Sequence, residues 1–243
     1  MPGAAGIAVR AAHQEGAGLL VHRFWSKVAA GIVLGRDERR RFAALAAQPP
    51  MSAAGWLLAR LAAKDAVRTL LGLDLPMADV AIGSDAHGAP CVVVAPAGRT
   101  APRVGLSHKG FLAVAAAAPA SDADGVGIDV EPLAPLDPAL AADAFDERER
   151  ALLAAAATAP FAPFEVAGWA AKEAIGKALG RGLPGGPRDL TIIACDGRAG
   201  RIACRLAGRL ARAFPERAGR DFEALVRVHD RHVIALCRIP AGS

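Results

Sequence analysis

A chain that repeats itself must fold both copies alike, so an internal match constrains architecture more than composition does. Residues 62–72, Ala-Ala-Lys-Asp-Ala-Val-Arg-Thr-Leu-Leu-Gly, match residues 170–180, Ala-Ala-Lys-Glu-Ala-Ile-Gly-Lys-Ala-Leu-Gly, at six of eleven positions and a displacement of 108. Upstream, Asp37-Glu38-Arg39-Arg40-Arg41 matches Asp146-Glu147-Arg148-Glu149-Arg150 at a displacement of 109. With 59 alanines among 243 residues, two helices can resemble each other by composition alone. Two matches with nearly one displacement, close to half the length, argue instead for duplication. The expectation is an α+β fold, a pseudo-dimer of two similar α/β subdomains spanning 1–124 and 125–243, with a ligand cleft between the halves.

Local patterns fill in both halves. Leu19 to Phe24 and Gly31 to Leu34 read as short strands, Arg36 to Ala47 as a helix stopped by Pro49-Pro50, and Ala54 to Leu71 as a long helix ended by Gly72. Val80 to Ile82 and Cys91 to Val94 read as strands around a turn, Gly105 to Gly110 as a Gly-bounded turn, and Phe111 to Ala117 as a buried run. In the second half Gly125 to Val130 reads as strand. Helices follow around Ala139 to Ala142, over Glu147 to Ala157, and, after a link broken by Pro160 and Pro163, from Phe164 to Leu179. Strands Asp189 to Cys195 and Arg201 to Leu206 precede a hairpin of Phe222 to Val228 and His232 to Cys237.

Composition excludes several classes. No apolar run approaches the roughly 18–20 residues that span a bilayer, and no secretory signal is visible before Gly16. Four cysteines without CxxC spacing fit a reduced, cytoplasmic setting. The net charge of +5 suits an anionic ligand or an acidic protein as well as nucleic acid, and the arginines are spread rather than massed. Only five of the 29 basic residues are lysines: Lys27, Lys64, Lys109, Lys172 and Lys177.

The candidate chemistry lies in the second half. In Gly127-Ile128-Asp129-Val130-Glu131, period-two alternation puts Asp129 and Glu131 on one strand face, where a divalent cation would relieve their repulsion. A solvated strand end is the alternative. On the helix Trp169-Ala170-Ala171-Lys172-Glu173-Ala174-Ile175-Gly176-Lys177, residues Trp169, Glu173 and Lys177 share a stripe. Two rare lysines lie within six residues, and a lysine is a compact, flexible point charge for phosphate. Asp129, Glu131 and Glu173 offer three oxygen ligands suited to Mg²⁺, with Lys172 and Lys177 as phosphate contacts. Ser107 and His108 have no positioned acid for a hydrolase triad, there is no GxSxG elbow, and the glycines after Arg181 follow a helix, unlike a P-loop.

Three segments in order, Leu106-Ser107-His108-Lys109-Gly110, Gly127-Ile128-Asp129-Val130-Glu131 and Trp169 to Lys177, resemble the signature of the large, Sfp-type 4′-phosphopantetheinyl transferases. The likeness covers roughly residues 20 to 240, and Trp56 to Arg68 is similar to members associated with polyketide and polyunsaturated fatty-acid synthases. The resemblance implies Mg²⁺-dependent transfer of the 4′-phosphopantetheine arm of coenzyme A to a serine of an acyl or peptidyl carrier protein, releasing adenosine 3′,5′-bisphosphate. It also implies a monomer, with no role for nucleic acid or membrane.

Residue by residue, the resemblance implies Mg²⁺ at Asp129, Glu131 and Glu173, and phosphate at Lys172 and Lys177. Glu173, directly or through a water, is the expected proton acceptor, with Lys177 beside it in the catalytic set. Ser107 and His108 match the turn that touches the adenosine 3′-phosphate end of coenzyme A, and Gly88-Ala89-Pro90 matches a Gly-Lys-Pro loop that also meets the cofactor, through Gly88 and Pro90 here. Ala89 replaces that loop's lysine, Ala54-Gly55 stands where relatives carry a basic residue, and Gly168 replaces a bulkier one. Arg60 and Lys64, on one helical stripe with Arg68, are candidates to restore the charge; a solvent-facing stripe is the other reading. Two rival functions use the same residues: a Mg²⁺-dependent nucleotide phosphohydrolase and a non-catalytic module that binds a carrier protein.

Overall fold

The computed structural model describes residues 6–13, 20, 22–45, 50–72, 74–94, 99–157 and 164–242. The chain divides into two compact units, Met1–Asp124 and Gly125–Ser243. Both are mixed helix and sheet, as the α+β reading expects.

In the first unit β1 (Ala8–His13) leads into α1 (Arg23–Val33), α2 (Arg36–Leu45) and α3 (Pro50–Leu71). A 3₁₀ turn at Met77–Asp79 then precedes β2 (Ala81–Ser84), β3 (Pro90–Val94), β4 (Arg103–Lys109) and β5 (Leu112–Ala118). The sheets run β1-β5-β4 and β2-β3, all antiparallel. Every residue of β5 is buried, and α3 packs on this sheet through Leu58, Ala62, Ala66 and Val67. Small alanines on both surfaces let helix and sheet approach closely, which is how an alanine-rich chain still fills a core.

The second unit repeats that order. It runs β6 (Ala123–Pro132), α4 (Pro138–Ala144), α5 (Glu147–Ala156), α6 (Phe164–Ala178), a 3₁₀ turn at Pro187–Asp189, then β7 (Leu190–Asp196) and β8 (Arg201–Leu206). After an added short helix, α7 (Gly208–Ala213), come β9 (Asp221–His229) and β10 (His232–Pro240). The sheet order β6-β10-β9-β8-β7 continues across five strands what β1-β5-β4 and β3-β2 do in two pieces. Its core gathers Phe145, Leu153, Ile175, Ile192, Val226 and Ile239.

Two local readings are corrected. Residues 23–33 form one helix, not parts of two strands: its inner face is Ser26, Ala30 and Val33, while Phe24, Trp25, Val28 and Ile32 are exposed. Residues 105–109 belong to strand β4, whose turn comes later, at Gly110 with φ +54°. The links at 46–49 and at Pro160 and Pro163 lie outside the described residues.

The repeated lysines anchor both units. Lys64 Nζ, fully buried, donates to Glu38 Oε2 at 2.5 Å, to the Val33 carbonyl at 2.8 Å and to the Met77 carbonyl at 3.1 Å. Lys172 Nζ, equally buried, meets Glu149 Oε1 at 2.7 Å, the Ala144 carbonyl at 2.6 Å and the Pro187 carbonyl at 3.3 Å. Each glutamate also accepts from a strand amide, Ile82 or Ile192, and from the residue before its own helix, Gly35 or Asp146. Every member of one clamp thus has its counterpart 108 to 111 positions along the chain. The glutamate match is shifted from the sequence alignment, because Glu38 corresponds to Glu149, not Glu147.

Candidate functional site

The acids of the second unit sit where they do because glycines precede them. Gly125, Gly127, Asp129 and Glu131 alternate along one face of β6. A Cβ at Gly125 would strike the Ala178 carbonyl, and one at Gly127 the Ala174 carbonyl and the Ala178 amide. Bare backbone at these two positions lets α6 lie directly on β6. The next two residues of the row then meet side chains of that helix.

Asp129 Oδ1 accepts from Lys177 Nζ at 2.6 Å, and Lys177 Nζ stands 3.9 Å from Glu173 Oε2. Glu131 Oε1 accepts from the Trp169 indole at 3.2 Å. The Asp129 side chain is 3 % exposed, whereas that of Lys177 is 30 % exposed. A carboxylate this buried needs a compensating charge, and the ammonium supplies it. The stripe Trp169, Glu173, Lys177 therefore faces the strand acids, as helical spacing indicates.

These donors are hard oxygens, and two carboxylates already converge on one cationic nitrogen, the arrangement a small cation would enter. The three acids carry formally more negative charge than one lysine balances. They fit a divalent cation at Asp129 and Glu173. Glu131 follows in the same row, turned to the Trp169 indole. Among the described residues no three His, Cys, Asp or Glu side chains are already gathered as a ligand cluster.

Lys172 does not join them. Its three donors are occupied in the buried clamp and its ammonium lies 5.0 Å from the Phe145 ring centre, so a phosphate contact does not fit this placement. Lys64 is committed in the same way in the first unit. There burial pushes its pKa down, against the hydrogen bond and charge of Glu38, which push it up. Arg60 is 5 % exposed and stacks 4.6 Å from the Trp56 ring centre; burial lowers its pKa, with Glu38 opposing. The stripe of Arg60 and Lys64 is therefore not a solvent-facing surface.

The other first-unit candidates lie on hairpins. Ser107 is buried and His108 exposed on β4, and Gly88 and Pro90 border the β2–β3 turn, where Gly88 takes φ +85° and Asp85 Oδ1 accepts from the His87 and Ala89 amides. Gly55 on α3 seats the His108 ring: a Cβ there would come within 2.8 Å of Nδ1. Gly168 is likewise a packing position, since a Cβ would press on Leu153, Phe145 and Ile192. The absence of a side chain there lets α6 settle against them. Glu38 and Glu149 enter the sequence reading only as members of the repeat, although Asp146-x-x-Glu149 is a capping box whose two reciprocal hydrogen bonds form here.

Among the described residues the first unit has no matching acid row. Asp65, the counterpart of Glu173, pairs with Arg10 on β1 at 3.1 Å, with both side chains 40 % exposed. That copy neutralises itself.

No curated protein matches the chain by sequence. Among solved structures, the holo-ACP-synthase from Plasmodium yoelii is 21 % identical, with a TM-score of 0.38, over 46 % of this chain and 91 % of its own. The holo-[acyl-carrier-protein] synthase (AcpS) from Neisseria meningitidis is 23 % identical, with a TM-score of 0.38, over 46 % of this chain and 94 % of its own. Residues 125–237, the stretch that holds Asp129, Glu131, Glu173 and Lys177, match the family model ACPS, described as the 4′-phosphopantetheinyl transferase superfamily.

Proposed function

We propose that the chain transfers the 4′-phosphopantetheine group of coenzyme A to a serine hydroxyl of an acyl or peptidyl carrier protein, and that it is of the Sfp type. The observation that carries this reading is the Asp129–Lys177–Glu173 constellation within the stretch that matches the superfamily model. In the reaction the serine oxygen forms a bond to the β-phosphorus, the bond from that phosphorus to the bridging oxygen breaks, and adenosine 3′,5′-bisphosphate leaves. The serine proton passes to Glu173, directly or through a water.

Asp129 and Glu173, with Glu131 from the same strand row, would hold Mg²⁺. That ion, when bound, supplies charge neutralisation at the pyrophosphate. Lys177, on a flexible stem at the end of α6, offers its ammonium to a phosphate oxygen. Trp169 orients Glu131 through its indole donor. In the first unit Ser107 and His108 are proposed contacts for the adenosine 3′-phosphate end of coenzyme A, and Gly88 and Pro90 further contacts to coenzyme A, while Lys172 and Lys64 are left to their clamps.

Intact-mass spectrometry of an apo-carrier protein incubated with coenzyme A and Mg²⁺, with and without chelator, tests the proposal. A phosphopantetheine mass gain that chelator abolishes is expected. No gain with several carriers overturns it, and consumption of coenzyme A without any carrier favours a hydrolase.

A further inference from the structure

We infer that Lys177 and a divalent cation compete for Asp129, so that cation and polyphosphate bind together and each strengthens the other through this one lysine. The inference rests on the site reading above and adds to it an order of events. Lys177 Nζ lies 2.6 Å from Asp129 Oδ1 and 3.9 Å from Glu173 Oε2, where a cation shared by those carboxylates would lie. A divalent ion and an ammonium cannot both stay against one carboxylate without strong repulsion.

The two partners differ in freedom. Asp129 is fixed on β6, whose neighbour Gly127 has the α6 backbone pressed on it, and its side chain is 3 % exposed. Lys177 reaches from the last turn of α6, is 30 % exposed and has four rotatable carbons. The ammonium is the partner that moves. Leaving Asp129 costs Lys177 that 2.6 Å ion pair, and an incoming polyphosphate offers another. A cation arriving alone displaces the lysine from Asp129, whereas a cation arriving with a polyphosphate also brings an anion for it to pair with. Coupling of this kind is reciprocal and spans roughly 5–150-fold in affinity.

The test measures Mn²⁺ binding to the full chain by electron paramagnetic resonance, alone and with saturating coenzyme A, correcting for Mn²⁺ held by free coenzyme A. Wild type should bind Mn²⁺ at least about fivefold more tightly with coenzyme A than without, and coenzyme A should gain the same factor from Mn²⁺. Lys177→Met and Lys177→Gln should bind Mn²⁺ alone more tightly than wild type by a factor in that range and lose most of the coupling. Lys177→Arg, which keeps the cation, should bind Mn²⁺ alone as weakly as wild type, and Asp129→Asn should lose Mn²⁺ under both conditions. Circular dichroism checks that each variant is folded.

The inference is overturned if the folded neutral variants bind Mn²⁺ no better than wild type, if Lys177→Arg behaves like Lys177→Met, or if Asp129→Asn keeps Mn²⁺. Its failure is separable from that of the transfer reading. A wild type that shows the Mn²⁺ pattern yet never modifies a carrier overturns only the transfer. One that modifies carriers without coupling overturns only the competition.

Discussion

Lysine is rare in this arginine-rich chain, and the structure supplies a reason at two of its five positions. Lys64 and Lys172 each direct three donors at a carboxylate and two carbonyls arranged around a point, which an ammonium can satisfy and a planar guanidinium fork cannot. In the sequence the two lysines stand out and match each other, but their partners lie 26 and 23 positions away, and no local pattern announces a buried ion pair. Reading Lys172 as a phosphate ligand rests on the scarcity of lysine and on the resemblance, and neither shows which way the side chain faces. A residue one step along a helix faces some 100° away. Lys172→Met should lower unfolding stability in urea by about 3–5 kcal/mol, because it strands Glu149 without its charge partner. Adding Glu149→Gln, which removes the stranded charge but keeps an acceptor for the Ile192 and Asp146 amides, should recover part of that loss; a double variant as unstable as the single would show that the stranded charge does not set the cost. Glu173→Gln, by contrast, should leave stability unchanged and abolish carrier modification.

At the scale of elements, what the sequence makes legible is the row on β6 and the stripe on α6, because strand and helix periods reveal which residues share a face. What it hides is their distance, which depends on Gly125 and Gly127 admitting the helix backbone. Gly127→Ala should push α6 off the strand and separate Lys177 and Glu173 from Asp129. A displacement near 1 Å costs about 100-fold in turnover, measurable as the rate of carrier modification. Normal turnover in that variant would show that the close approach is not needed for chemistry. The misread segment at 23–33 has a physical cause too. Its bulky residues Phe24, Trp25, Val28 and Ile32 point outward, so the apolar pattern marks the wrong face and imitates strand. Its counterpart α4 reads as helix without difficulty, and carrying that reading across the repeat places α1 correctly.

For the whole molecule, the boundary at 124/125 separates two units whose element order is the same apart from the added α7, and the four cysteines divide unevenly between them. Cys91 belongs to the first unit. In the second, burial pushes Cys195 up to about 11 and Cys237 up to about 12, and raises Cys204 further. Raised thiol values mean that the reactive thiolate forms only well above neutral pH. At pH 8 Cys204 and Cys237 should therefore resist a disulfide reagent until the second unit unfolds, and Lys64→Met should leave that protection intact. Rapid labelling of either thiol in the folded protein would contradict the buried core described above. No helix among the described residues is long and apolar enough to cross a membrane.

The paired clamps also make the molecule its own control. Lys64 and Lys172 hold equivalent scaffolds, but among the described residues only the second adjoins an acid row, Asp65 in the first copy being paired with Arg10. Parallel substitutions at the two lysines disturb the same scaffold. Whatever loss of catalysis the second substitution causes beyond the first measures what that scaffold contributes to positioning Glu173 and Lys177, with the cost to folding subtracted by the protein itself.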